Sequence, residues 1–329
     1  MKVTFFHRKP NSINYSVEGT FQAIRSAMPT EVECVVATSK FQSMGLFRRV
    51  YNIFEAAFRQ GEVNHITGDV HFLSYLLKRD KTLLTVLDCI FMYNTTGIKR
   101  YLLRLFWYVI AEKRVALISV ISQSTKEELL KCIKCDPNKI RVVPVCISPA
   151  FAPFKKKFDA AKPNILLIGT SENKNLFRLI EALQDIPCKL EIVGKLSQEQ
   201  AEALARFNMD FSNSFNLSEV EIVAKYHLCD LVAFVSTYEG FGMPILEANA
   251  VGRPIITSDI LSMPEVAGDA ACLVDPYSIP QIRVGIRRII NDDKYREILI
   301  TNGFKNIARF DANEIARQYL DIYKDLYKG

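Results

Sequence analysis

Twelve short apolar runs separated by stretches of helical spacing set the tightest limit on how this chain can fold. VTFFH, VECVVA, VNHIT, TLLTVLD, ALISVIS and KIRVVPV make a first series, and NILLIG, KLEIVG, MDFS, DLVAFVS, PIITS and ACLV a second. Such runs read as strands, and the segments between the first six, near 17–28, 44–60, 69–79, 98–113 and 124–134, read as helices. Alternation of this kind predicts mostly parallel, doubly wound α/β sheets. Ligands of such sheets bind outside the carboxyl ends of the strands, so the loops of interest are HRKPNSINYS, HITGDVH, LDCIFMYNTTG and SQST. A chain of 329 residues can bury two cores. The break falls at FAPFKKKFDAAKP, residues 151–163, where two prolines and a run of three lysines interrupt the periodicity as a linker would. Domains over 1–157 and 158–311 are therefore expected, followed by more helical sequence.

Composition narrows the class. At 49% hydrophobic and 24% charged residues the chain is an ordinary soluble globular protein. MKVTFFHRKP reaches charge and proline without an apolar leader core, and no apolar run approaches the ~20 residues of a membrane span. A cytoplasmic protein is expected, with room for a peripheral place on the inner face of the cell membrane. The eight cysteines are scattered as buried thiols would be. Cys132 and Cys135 form a CxxC, but no second pair stands at metal spacing. Charge is uneven: 24 lysines and arginines face 13 acids in residues 1–160, net +11, against 18 and 23 in 161–329, net −5. The first half is expected to meet something anionic.

The stretch with most chemistry is LVAFVSTYEGFGMPILEANAVGRP, Leu231 to Pro254. An apolar strand breaks into a glycine-rich turn and continues as a helix. Glu239 lies at the strand's end and Glu247 a turn or more into the helix. The helix start, Gly240 to Met243, collects free backbone N–H groups and a positive dipole end, which favour phosphate or sugar oxygens. Gly240 and Gly242 allow close approach of a ligand, and Pro244 suits a first turn. A second stretch, IGTSENKNLFRLIEAL, ends a strand at Gly169, passes through Thr170, and sets Lys174 just before a helix.

The first of these stretches resembles the signature of the family-4 retaining glycosyltransferases, Glu, seven residues, Glu around a GFG turn. Glu239 and Glu247 match the acids, and Gly240, Phe241, Gly242, Met243 and Pro244 match the turn. The second is similar to the same family's phosphate-binding loop, with Lys174 at the donor lysine. The resemblance implies a GT-B fold, in which two Rossmann-like domains face each other across a cleft. It implies further that the last helix, roughly 312–329, returns to the N-terminal domain. It also implies a UDP- or GDP-sugar donor and transfer with retention of configuration. Lys174, with the amides of Gly242 and Met243, would then receive the charge of the leaving nucleoside diphosphate. Glu239 would hold the donor sugar, and Glu247 the two ribose hydroxyls. Gly169 and Thr170 would line the nucleotide. No DxD motif occurs, so neither a metal nor another cofactor is expected.

Departures from the family pattern sharpen the expectation. Thr170, Ser171 and Asn173 stand where many members carry arginines around the phosphate loop. Asp88 matches the acid of a His-Asp pair at the end of the fourth strand, but Leu87 replaces the histidine. His65 and His71, flanking TGD, are the imidazoles that could approach the cleft instead. In place of a Gly-Gly turn after the first strand come Asn11, Ser12, Tyr15 and Ser16, expected to take part in holding a glycan or lipid-linked glycan acceptor. GIKRYLLRLFWYVIAEKR, 97–114, is the leading candidate for an anionic membrane surface, and 48–60 a weaker one. Competing readings are an epimerase-like enzyme of the same fold, a dinucleotide oxidoreductase, and a non-catalytic basic binder of nucleic acid or membranes. In GFGMPI, Ile245 occupies the third glycine's place of the dinucleotide fingerprint. No nucleic-acid module matches, so no nucleic-acid partner is expected.

Overall fold

The computed structural model describes residues 1–9 and 16–328, the side chains of Ser16 and Val17 excepted. Asn11, Ser12, Tyr15 and the Ser16 side chain therefore lie outside the described residues. The chain divides into two compact units, Met1–Cys146 with Phe310–Gly329, and Ile147–Arg309. No helix among the described residues is long and apolar enough to cross a membrane.

The first unit is built on β1 (Lys2–His7), β2 (Glu33–Thr38), β3 (Val63–Ile66), β4 (Thr82–Val86), β5 (Leu117–Val120) and β6 (Ile140–Val142). Their order is β2-β1-β3-β4-β5-β6, and every adjacent pair is parallel. The expected helix at 98–113 forms, but passes through a π-type segment at Arg104–Val109. The expected helix at 69–79 is a 3-10 turn, His71–Leu76. The C-terminal helix, Ala312–Lys328, belongs to this unit. Its Ile315, Tyr319, Ile322 and Tyr323 recur on one helical face and bury against Val3, Phe5, Phe21 and Val63. His65 is wholly buried in this contact. Its Nδ1 meets Tyr323 Oη at 2.7 Å and its Nε2 meets Thr85 Oγ1 at 2.6 Å. The imidazole is a strut between sheet and helix, not a group open to a ligand. Burial pushes its pKa well down and keeps it neutral.

The second unit repeats the plan with β7 (Asn164–Ile168), β8 (Lys189–Val193), β9 (Phe211–Ser214), β10 (Leu231–Phe234), β11 (Ile255–Ser258) and β12 (Cys272–Val274). Their order is β12-β11-β10-β7-β8-β9, and every adjacent pair is parallel. The helix Leu176–Leu183 buries Leu176, Leu179, Ile180 and Leu183, one face at i, i+3, i+4 and i+7. Each such burial stabilises by about 2 kcal/mol. Chain order reverses between β7 and β10. The loops leaving their carboxyl ends must diverge to opposite sides of the sheet and leave a crevice between them.

The stretch expected to be a free linker is strapped to the second unit, which moves the division from 157/158 to Cys146/Ile147. Phe151 packs edge-on against Tyr226, with ring centroids 5.5 Å apart. Phe154 stacks on His227 at 4.1 Å, and its carbonyl accepts from Arg253 Nη1 at 2.9 Å. The Lys156 ammonium pairs with the buried Asp230. Asp230 also accepts the Asp159 amide at 3.1 Å and the Asn164 amide at 2.9 Å. One buried carboxylate thus holds both ends of the lysine-rich run. The prolines and lysines that suggested looseness do not reveal these partners.

Candidate functional site

At the crevice of the second unit, the loop after β7 and the loop after β10 are stitched together by asparagines. Asn173 Nδ2 donates to the Tyr238 carbonyl at 2.9 Å and to Glu239 Oε1 at 3.3 Å. The Thr237 amide returns a bond to the Asn173 carbonyl at 2.8 Å. Asn175 stands at the start of the Leu176–Leu183 helix in the left-handed region, φ 62°, which asparagine tolerates well. Its Nδ2 donates to the carbonyls of Val235 at 2.9 Å and Pro276 at 2.7 Å.

This stitching brings Lys174 onto Glu239. The ammonium lies 2.6 Å from Glu239 Oε1, and the two side chains are only 18% and 16% exposed. Lys174 Nζ also sits 4.9 Å from the centroid of the Phe234 ring, a cation–π contact. Gly169, at φ +91°, makes room for it: a β-carbon there would fall 2.8 Å from Lys174 Cε. The lysine stem crosses the end of β7 through space that only glycine leaves open. Thr170 plays a different part. Its hydroxyl donates to the Lys195 carbonyl at 2.7 Å, and its carbonyl accepts from Gln200 Nε2 at 2.7 Å. The Thr170 side chain thus ties neighbouring loops, and its hydroxyl proton is already in use.

Beyond Glu239 the chain turns through Gly240 and the buried Phe241 to Gly242, at φ 110°, ψ 54°. The helix Met243–Val251 begins there with no side-chain cap and with Pro244 in its first turn. The Ser262 hydroxyl, fully buried, is shared between the carbonyls of Glu239 at 3.0 Å and Phe241 at 2.8 Å and clamps the turn. Glu247 lies one turn into the helix and is half-buried. Its Oε2 accepts a 2.5 Å bond from the Tyr226 hydroxyl. Burial raises the Glu247 carboxyl to about 7, against the downward pull of Tyr226 and of the Lys174 ammonium. Burial and the neighbouring Glu247 charge hold the Tyr226 phenol well above its ordinary value, so it stays a donor.

Lys174, Glu239, Gly169 and the Gly240–Met243 turn thus lie at the carboxyl ends of β7 and β10, with Glu247 near enough to feel the Lys174 charge. The arrangement offers two anion-binding elements, an ammonium and an uncapped helix start, beside two carboxylates that accept hydroxyl groups. Tyr226, Asn173, Asn175 and Ser262 support it; Tyr226 and Ser262 escaped the sequence reading, as did the stitching by the two asparagines. The two asparagines stand inside the NKN run and carried a signal, whereas Tyr226 comes from the Glu219–Leu228 helix and carried none.

Asp88 lies in the first unit, after β4, where its Oδ1 accepts the Ile90 amide at 3.0 Å. It lines a hollow of ≈ 250 Å³ with Arg8, Asp69, His71 and Trp107. His71 is buried, with Nδ1 2.9 Å from the Trp107 carbonyl. Burial lowers it to about 4, so it faces Asp88's hollow as a neutral ring. Arg8 bridges Glu18 at 2.9 Å and Asp69 at 3.4 Å. No disulfide joins any of the eight cysteines. Among the described residues no group of three or more His, Cys, Asp or Glu side chains is placed to hold a metal ion.

Residues 150–306 match the family of glycosyl transferases group 1. The O-antigen chain mannosyltransferase B of Escherichia coli is 38% identical over 229 residues, 63% of this chain and 60% of that protein. The serotype-specific mannosyltransferase WbdA of Escherichia coli is 26% identical over 241 residues, 66% of this chain and 30% of that protein. The chain therefore spans less than two thirds of the length of these curated relatives. Among solved structures, Anabaena Alr3699/HepE in complex with UDP and glucose superposes with a TM-score of 0.80 at 16% identity, covering 98% of this chain and 99% of that one. The sucrose-phosphate synthase tll1590 from Thermosynechococcus elongatus gives 0.78 at 15% identity, with 99% of both chains covered. The chain has the GT-B fold, and its second unit matches the glycosyl transferases group 1 family over residues 150–306.

Proposed function

We propose that the protein transfers a hexose from a UDP- or GDP-sugar to a glycan acceptor, lipid-linked glycans included, with retention of anomeric configuration and without a metal ion. The observation that carries this reading is the Lys174–Glu239 pair at 2.6 Å in the crevice between β7 and β10, beside an uncapped helix start. Breaking the anomeric bond puts negative charge on a diphosphate and positive character on the sugar ring. An ammonium carries three donors. One is committed to Glu239, and the others remain for phosphate oxygens. Glu239 accepts Lys174 and Asn173 at Oε1, which leaves Oε2 to take the donor sugar's hydroxyls. The pair thereby aims opposite charges at the two halves of the bond that breaks. That is electrostatic preorganisation and needs no proton transfer from the enzyme. Glu247, ionised above about pH 7, would accept the two ribose hydroxyls.

The relatives' names favour a mannosyl donor and a role in polysaccharide assembly. The UDP and glucose bound by the structural neighbour favour a nucleoside diphosphate in the same crevice. The test is calorimetry with nucleoside diphosphates and their sugars. Lys174→Ala removes a charged hydrogen bond worth about 1.5–3 kcal/mol, so affinity should fall at least tenfold. Unchanged affinity would remove Lys174 from the site and take the reading with it.

A further inference from the structure

The helix Leu46–Phe58 turns its apolar side outward. Phe47, Phe54 and Phe58 are 90%, 55% and 89% exposed, with Val50 and Tyr51 open between them. These positions fall within a stripe about 100° wide on a 3.6-residue helix. The opposite side carries Asn52 and Ala56, which are buried. A soluble helix normally shows the reverse pattern, and singly scattered exposed apolar residues would need no explanation. Here three phenylalanines line up. The surroundings are cationic: residues 40–60 hold Lys40, Arg48, Arg49 and Arg59 against Glu55 alone. Arg49 also ties this helix to its neighbour, with its guanidinium 5.1 Å from the Trp107 ring centroid. That neighbour, 97–113, repeats the pattern with exposed Ile98, Tyr101, Leu102 and Phe106 among Lys99 and Arg100.

We infer that the Leu46–Phe58 helix docks on an anionic lipid bilayer, its phenylalanines entering the acyl boundary while the surrounding arginines and lysines meet headgroup phosphates. An apolar stripe flanked by cations is what holds a helix in the plane of such an interface. The order of the two segments suggested by sequence is thereby reversed. The 97–114 segment buries Trp107 and Tyr108 and serves as a support, whereas 46–58 presents the larger aromatic edge. The inference stands apart from the reaction proposed above, since it uses no residue of the second unit.

Flotation with phosphatidylglycerol–phosphatidylcholine vesicles tests it, alongside phosphatidylcholine vesicles alone and sedimentation to read the oligomeric state. The wild type should float with the anionic vesicles and at least tenfold less with the neutral ones. Phe47→Ser with Phe54→Ser and Phe58→Ser should lower anionic binding at least tenfold, while melting temperature and nucleoside-diphosphate binding stay unchanged. Should the triple variant fold poorly, Phe47→Ser alone, at the most exposed position, should still lower binding severalfold. Equal flotation of variant and wild type, or equal binding to both vesicles, overturns the proposal. So does a wild type that self-associates without binding vesicles and becomes monomeric on the triple substitution, which would make this face a contact with a second copy.

Discussion

Replacing Glu247 by glutamine tests whether the crevice holds a carboxylate under stress. The carboxyl is raised from its ordinary 4.5 to about 7, chiefly by burial. Between those values the folded protein keeps a proton that the unfolded chain has lost. Stability must therefore fall as pH rises through this window, with the full cost present above 7 and none below 4.5. A shift of that size corresponds to about 3 kcal/mol at ~1.4 kcal/mol per unit. Glutamine has no charge to bury and keeps a carbonyl for the Tyr226 hydroxyl. The groups that face Glu247, namely Tyr226, Lys174 and Glu219, are untouched by the change. Calorimetric unfolding of the ligand-free pair from pH 5 to 8.5 should show the variant close to wild type at the acid end. At about 2–4 °C per kcal/mol for a domain of this size, it should be more stable by about 6–12 °C at pH 8. Nucleoside-diphosphate affinity should move the other way, weaker in the variant at pH 8. A melting-temperature difference that stays flat across pH would refute the argument, because it would mean that no titration of Glu247 separates the two proteins.

Gly169→Ala places a methyl 2.8 Å from Lys174 Cε on a backbone at φ +91°. It should displace the ammonium and weaken nucleoside-diphosphate binding about as much as Lys174→Ala, measured by the same calorimetry. Asp230→Ala leaves the Asp159 and Asn164 amides and the Lys156 ammonium without their acceptor. Breaking a buried pair costs about 3–5 kcal/mol, so the second unit should melt at least 6 °C lower and trypsin should cut within 155–157. Ser262→Ala removes the clamp on the Glu239 and Phe241 carbonyls. Binding should weaken by about 1 kcal/mol, in line with one lost hydrogen bond, with little change in melting temperature.

Most of the twelve strands among the described residues were legible because buried parallel strands are continuous apolar runs; β9, a polar edge strand at Phe211–Ser214, overlaps only half of the MDFS run. The motif residues were legible for a related reason: Glu239, Gly242 and Glu247 sit on one strand-turn-helix, so their relation is local. Lys174 could be placed at a helix start, but its pairing with Glu239 is a contact between residues 65 positions apart. Tyr226, which holds Glu247, is hidden in the same way, since a tyrosine in an amphipathic helix looks like core. The strap at 151–163 misled because the interruption of periodicity was real while its partner, Asp230, lay 74 positions beyond Lys156. For His65 the local context was equally silent, because its partner Tyr323 is near the other end of the chain.

The asparagine stitches have a consequence for how tightly a ligand can be held. Loops that diverge at a sheet's reversal are ordinarily the parts of an α/β unit with most freedom, and a ligand that had to arrest them would lose affinity in doing so. Here the amides of Asn173 and Asn175 fasten one loop to the other. The entropy of ordering is met once, when the polypeptide folds, and a newcomer finds its receptors already standing in place.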